Sequence, residues 1–349
     1  MAPGSAAARR QADLYTNAPK FTATIDYGDY PPFAASAGRI LSSPDGRPTL
    51  KEEWGMFWRI LRVARRSSIL VLRSSWGRFN VDVLAGAVIG LWPRRYRPVV
   101  VLTGCMWQPE TGPRHLVERL VVKLLDRAVC LYAVQSSEEL TLFPETWGVS
   151  PDKTRLCLYF STFTERDLAG APPADGRYVF AGGNSHREYG PLLEAARQLP
   201  ELSFILATNR LKGVALPPNV TAAPVPHAEF VSLMRGAAAV VVPLRQGMRR
   251  AVGQQTYLNA MWLGKPTIVS QALAVRDHVA HKRTALIVDG SAEGYVRALR
   301  WLFAPDNQAA VQEMCQRASA IVSAQFTFEN HAARLLEIIG EAARLCAPE

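Results

Sequence analysis

Two stretches carry residues of the types and spacing that could hold an anion. In AAVVVPLRQGMRRAVGQQTYLNAMWLGKPTIVS (238–270), a buried strand leads into a glycine-bearing loop, a helix, a Gly-Lys-Pro turn and a second buried strand. That order aims a helix N-terminus, flanked by Arg249 and Arg250, at whatever lies beyond the strand ends, which suits a diphosphate. An ordinary β-α-β unit with a basic loop is the simpler alternative. The second stretch, AGGNSHREY (181–189), joins a strand to a helix, the position at which doubly wound sheets place ligands. Gly182 and Gly183 permit close backbone approach, Ser185 offers a hydroxyl, and Arg187 offers a permanent charge on a phosphate-matching fork. A turn with a solvated arginine competes for that segment alone; the two stretches together point to a nucleotide-diphosphate site.

The elements that must position these residues follow from apolar periodicity. Residues 21–27, 69–74, 98–104, 128–134 and 154–160 read as strands, separated by helical patterns at 51–66, 81–92, 115–127 and 137–147. A polar Pro/Gly-containing segment, 161–176, is the linker candidate. The alternation then restarts with strands at 177–183, 202–209, 238–244 and 266–270 and helices at 190–199, 228–237, 293–303, 309–324 and 328–345. Continuous apolar strands alternating with helices predict parallel sheets covered on both faces. The chain is thus expected to be α/β, with a flexible tail at 1–18, an acceptor-side doubly wound domain at 19–165, a second Rossmann-like domain at 166–325, and a C-terminal helix at 326–349 that crosses back to the first domain.

With 349 residues, 48% of them hydrophobic and 20% charged, the composition is that of a globular protein of two ordinary domains. No apolar run approaches the roughly 20 residues needed to cross a bilayer, and the N-terminus has no apolar segment behind its charges, so a signal peptide is not expected. Five dispersed cysteines (Cys105, Cys130, Cys157, Cys315, Cys346) with no C-x-x-C pair read as buried thiols in a reducing cytoplasm. The formal charge of +10 is concentrated in two places. Nine arginines face one acid, Asp82, between Arg59 and Arg97, and four lie without an acid between Arg235 and Arg250. Two local clusters favour a phosphate-bearing small molecule or an anionic lipid surface over a nucleic-acid track. The basic, tryptophan-bearing helix at 51–66 suits a peripheral contact with an anionic membrane; packing on the first sheet is the alternative.

From residue 128 to 346 the chain resembles the GT-B glycosyltransferases, especially the retaining family 4 type that uses nucleotide-sugar donors. The resemblance rests on AVQSSEEL (133–140), VSPDKTRLCLY (149–159), FAGGNSHREYGPLLEAA, NVTAAPVPHAEFVSLMRGAAAVVVPL and GQQTYLNAMWLGKPTIVS, in that order and spacing. It implies two Rossmann-like domains facing a cleft. It also implies that Gly183, Asn184, Ser185 and Arg187 hold the donor diphosphate, that Gly253, Gln254, Gln255 and Thr256 meet phosphates or sugar, and that Thr208, Asn209 and Arg210 border the nucleotide. The family presents two glutamates eight positions apart around this helix; here Ala251 and Asn259 stand there, leaving Asn259 to meet a ribose hydroxyl. The family's frequent histidine after the third N-terminal strand is replaced by TGCMWQPE (103–110), in which Trp107 is a sugar-stacking platform or a core residue and Glu110 an acid or acceptor contact.

Glycosyl transfer from a nucleotide diphosphate is limited by charge building up on the leaving phosphate, so cations and fixed amide dipoles are the required catalyst. Arg187, with Arg249 or Arg250 and the helix at Gly253 through Gln254 and Gln255, fits that role. With no Asp-x-Asp motif and no cluster at metal-ligand spacing, turnover is expected without a metal or other cofactor. Inversion would require a base beside the acceptor hydroxyl, for which Asp26 and His115 are candidates; a turn former and a helix-end residue are the competing readings. Retention is preferred on the resemblance. The expected acceptor is a glycan, a lipid-linked sugar or a natural product. A catalytically idle nucleotide-sugar-binding or scaffold protein and a sugar-nucleotide epimerase are the alternatives, and no nucleic-acid partner is expected.

Overall fold

A computed structural model of the chain describes residues 19–41, 48–74, 80–105, 107–170 and 176–346. The expected tail at 1–18 and Arg78 of the basic run lie outside the described residues. The chain divides into two compact units, one of residues 1–158 with 329–349 and one of residues 159–328.

In the first unit the elements are β1 (Phe21–Ala23), α1 (Pro31–Ser36), β2 (Ala37–Ile40), α2 (Leu50–Ala64), β3 (Ile69–Arg73), α3 (Val81–Ile89), β4 (Val99–Thr103), α4 (Pro113–Asp126), β5 (Val129–Val134), α5 (Glu139–Trp147) and β6 (Thr154–Leu156). The six strands form one parallel sheet in the order β2-β1-β3-β4-β5-β6. Its two faces sort the alternating side chains of each strand. Leu70, Leu72, Val100 and Leu102 meet α2, α3, α4 and α5, whereas Ile69, Val71, Val99 and Val101 point the other way.

α2 starts at a capping box, in which Thr49 accepts from the Glu52 amide and Glu52 from the Thr49 amide. α3 is apolar nearly all round because it lies between α2 and α4. Its Gly86 and Gly90 let α4 approach, since a Cβ on Gly90 would fall on the Leu124 carbonyl. Asp82, in the first turn of α3, is fully buried near Thr24 and Arg73, and desolvation pushes its carboxyl up to about 8.

The second unit comprises α6 (Glu165–Ala169), β7 (Tyr178–Gly182), α7 (Gly190–Arg197), β8 (Ser203–Ala207), β9 (Val220–Ala223), α8 (His227–Gly236), β10 (Ala239–Val242), α9 (Gln254–Trp262), β11 (Thr267–Ser270), α10 (Val275–His278), β12 (Leu286–Val288), α11 (Ala292–Phe303) and α12 (Gln308–Gln325). Its sheet is also six-stranded and parallel, in the order β12-β11-β10-β7-β8-β9. The strand order reverses on either side of β7 and β10, so the loops after these two central strands lie side by side at the carboxyl edge.

α13 (Phe328–Cys346) returns to the first unit and covers the second face of its sheet with Leu335, Leu336, Ile338, Ile339 and Ala342. Cys130 of β5 and Cys346 of α13 form a disulfide across 216 residues of sequence. This corrects the reading of five thiols: Cys105, Cys157 and Cys315 are free and buried, but the other two are brought together by a crossing that spacing along the chain does not reveal. The compartment argument drawn from unpaired thiols loses its basis with that pairing. Among the described residues, no helix is long and apolar enough to cross a membrane.

His331 ties α13 down. Its Nδ1 lies 2.7 Å from the Leu158 carbonyl, which can only accept; Nδ1 therefore donates, and Nε2 accepts from the Tyr27 hydroxyl at 3.0 Å. Burial holds this imidazole down at about 4, neutral in the folded protein. The unfolded chain takes up a proton near pH 6.5 that the folded chain refuses, so this contribution is complete above about pH 6.5 and disappears as pH falls to about 4. His331→Gln is expected to flatten the fall of Tm between those limits relative to the parent, read by thermal melts across pH. Gly90→Ala is expected to destabilise by about 1–3 kcal/mol through collision with α4, whereas Gly55→Ala, with open space at its Cβ, is expected to stabilise by about 0.5–1 kcal/mol in urea titrations.

Candidate functional site

The loops after β7 and β10 are joined by backbone. Arg187 and Leu244 form an antiparallel bridge, the Glu188 amide donates to the Pro243 carbonyl at 2.9 Å, and the Arg245 amide donates to the His186 carbonyl at 3.0 Å. The turn reaches this position through two residues in the left-handed region, Gly183 (φ 109°) and His186 (φ 51°). Asn184 crosses to the β8 end, its Oδ1 accepting from the Thr208 hydroxyl (2.8 Å) and the Asn209 amide (2.9 Å). Arg210 donates to the Asn184 carbonyl at 2.8 Å, and Tyr189 donates to the Gly183 carbonyl at 2.7 Å. Gly183, Asn184, Ser185, Asn209 and Arg210 therefore come together at one edge of the sheet.

Arg187 is the centre of this arrangement and is only 5% exposed. Its Nε donates to the Gly182 carbonyl (3.2 Å), Nη1 to the Ser185 carbonyl (2.9 Å) and Nη2 to the Thr256 hydroxyl (2.8 Å) in the first turn of α9. The fork fits because two glycines flank it. A Cβ on Gly183 would sit 3.2 Å from Nη2, and one on Gly253 3.3 Å from Nη1 while running into Leu244. All three acceptors are neutral, and burial lowers the guanidinium from its ordinary value. Desolvation lowers His186 as well, helped by the charges of Arg250, Arg187, Arg245 and Arg210 in that order. Four guanidinium groups thus raise the positive potential at one turn, beside the N-terminus of α9, which no side chain caps among the described residues. Arg249 is exposed in the same loop.

Asn259 does something other than the sequence predicts. It is buried, and its Oδ1 accepts from the Ser161 hydroxyl (2.9 Å) and the amides of Thr162 (2.8 Å) and Phe163 (3.2 Å), while Nδ2 donates to the Thr162 hydroxyl (3.1 Å). The amide fastens residues 161–163 to α9, which commits the acceptor expected at a ribose. Gln255 donates to the same Thr162 hydroxyl at 2.9 Å, whereas Gln254 is buried and Ala251 fully so.

In the first unit, Trp107 lies against Phe143 (5.5 Å) and Trp147 (5.6 Å), and its indole N–H donates to the Ser74 carbonyl. That contact set makes it a wall of the core, not a free stacking platform. His115, in the first turn of α4, lies 3.4 Å from Glu118 and 5.6 Å from the Trp147 ring, and Glu118 also accepts from the Glu110 amide at 3.0 Å. Trp107, Glu110 and His115 are therefore neighbours of one patch. Asp26 is an exposed turn former, accepting from the Gly28 amide at 2.9 Å.

No protein-family model and no curated protein matches the chain. Solved structures do. The Anabaena protein HepE in complex with UDP is 15% identical, with 97% of each chain covered and a TM-score of 0.64. Sucrose-phosphate synthase from Thermosynechococcus elongatus is 13% identical, with 93% of this chain and 96% of that chain covered at 0.67. A glycosyltransferase from Rickettsia africae is 10% identical, with 95% and 92% covered at 0.62. The fold is that of the GT-B glycosyltransferases. The match spans nearly the whole chain, so the GT-B architecture includes the described residues before 128, in which the sequence showed only strand-helix rhythm.

Two residues of this edge carry no role in the sequence reading: Arg245, the first charged residue past β10, and Tyr189, which together with the expected Thr208 locks the Gly183 turn. Arg245 was findable as the residue directly after the Pro243-Leu244 strand end. Among the described residues, no group of three or more His, Cys, Asp or Glu side chains is placed to hold a metal ion. Gly253→Ala is expected to cost more than Gly213→Ala. Both carry positive φ, which costs about 1–2 kcal/mol for an L-residue, but only the Gly253 Cβ meets Leu244 and Arg187. Urea denaturation of the two variants gives the steric difference.

Proposed function

We propose that the chain is a glycosyltransferase that takes its sugar from a nucleotide diphosphate, bound at the Gly183 turn and the N-terminus of α9. The observation that carries this reading is the buried Arg187, held by two carbonyls and a hydroxyl. A guanidinium withdrawn from water with only neutral acceptors is costly unless an anion completes its surroundings. Arg210, Arg245, Arg249 and Arg250 supply further charge around the same turn. UDP, in the complex with HepE, is an anion of the class proposed.

In this reading the bond from the sugar C1 to the diphosphate oxygen breaks, the acceptor oxygen forms the new bond to C1, and the acceptor proton passes to the released phosphate. Arg187, the neighbouring arginines and the α9 amides at Gln254 and Gln255 stabilise the charge growing on the departing diphosphate, a role that asks for neither a metal nor another cofactor. Retention is the proposed outcome, and it rests on the resemblance of residues 128–346 to the retaining family 4 type. The proposed acceptor is a glycan, lipid or small molecule on the Trp107, Glu110 and His115 side of the first unit.

A second reading, a nucleotide-sugar-binding protein without transfer, is favoured by one observation: Ala251 is apolar and the Asn259 amide is committed to residues 161–163. Thermal shift with UDP, GDP, ADP and TDP sugars, followed by transfer and hydrolysis assays with the best donor, separates the two. Arg210→Ala, at an exposed position, is expected to weaken nucleotide-diphosphate binding roughly tenfold with Tm unchanged. Arg187→Ala is expected to abolish transfer; full transfer by that variant overturns the assignment.

A further inference from the structure

Ten large apolar side chains are exposed among the described residues, and eight of them belong to one helical layer of the first unit. Leu50, Trp54 (46% exposed) and Trp58 (62%) follow each other at four-residue spacing along α2. Leu116, Val117 and Leu120 share one exposed side of α4, at the i, i+1 and i+4 positions. Leu91 and Tyr96 lie in the segment after α3, which Arg97 fastens to the end of α4 through the Arg127 carbonyl and Arg65, directly after α2, reaches by stacking over Trp92. These are second apolar faces, because Met56, Phe57 and Ile60 of α2 and Val122 and Leu125 of α4 already fill the core. The tryptophans are held outward: the buried Phe57 ring braces Trp54 at 5.4 Å and Trp58 at 5.2 Å.

The same layer is strongly basic. Arg59, Arg62, Arg65 and Arg66 are exposed on and after α2, Arg94 and Arg95 in the link, and Arg114, Arg119 and Lys123 on α4. The acids among them are engaged: Glu52 caps α2, Glu118 meets His115, Asp126 pairs with Lys153 at 2.9 Å, and Glu53 and Asp82 are buried. Exposed tryptophan and tyrosine interleaved with cations is the composition of an interfacial face, which buries apolar side chains at headgroup depth while arginines meet lipid phosphates. A two-fold contact between copies would set this arginine array against itself.

We propose that the α2–α3–α4 layer docks on an anionic phospholipid bilayer as a peripheral membrane surface. This stands independently of the donor reading. The test is co-sedimentation of the full chain with phosphatidylcholine vesicles, with and without phosphatidylglycerol, at low and high salt. Binding is expected only with the anionic lipid, weakening several-fold as salt rises. Trp54→Ser with Trp58→Ser is expected to reduce it roughly tenfold, with circular dichroism, Tm and nucleotide thermal shift unchanged. Reversing Arg59 and Arg62 to Glu should have a similar effect. The proposal is overturned if the parent ignores anionic vesicles, if neither variant pair changes binding, or if light scattering shows a dimer that the tryptophan pair dissolves.

Discussion

Burial of one guanidinium organises the carboxyl edge of the second sheet. Arg187 packs closely between Gly183 and Gly253, and it joins the β7 turn to the first turn of α9 through Ser185 and Thr256. The backbone bridge to Leu244 brings the β10 loop to the same place, and with it Arg245 and Arg250. Strand order makes these loops neighbours, glycine makes the approach physically allowed, and the resulting concentration of charge makes an anion the natural occupant.

The first sheet is built on a different economy of contacts. Its strand side chains divide between two helical coverings, α2 to α5 on one face and α13 on the other. The close α3–α4 contact depends on Gly86 and Gly90, and the return of α13 is fixed by His331 and by Cys130–Cys346. Having satisfied the core with one stripe each, α2 and α4 retain another apolar stripe facing solvent, which distinguishes this layer from the rest of the described surface.

Most of this was legible in the sequence where burial is continuous. The runs at Ile69–Leu72, Val99–Leu102, Val129–Val134 and Ala239–Val242 are central strands, apolar on both faces, and their positions follow from composition alone. β2, β9 and β12 were not anticipated; each is a three- or four-residue edge strand with partly exposed side chains and no distinctive run. In the candidate site, the Gly183 turn and the Gly253 helix start were visible because glycine and a strand end are local signals. The role of Asn259 was not, since its partners lie 97 residues away at Thr162, and the Cys130–Cys346 pairing was hidden by a still longer separation.

Interleaving of the two units has a consequence for how the chain is made. Residues 159–328 form an uninterrupted unit, whereas the first unit needs α13 to cover its second face. A nascent chain on the ribosome therefore carries Ile69, Val71, Val99 and Leu131 uncovered while all of the intervening unit is synthesised. Until α13 emerges, that bare sheet is a binding surface for chaperones and a hazard for aggregation between neighbouring nascent chains.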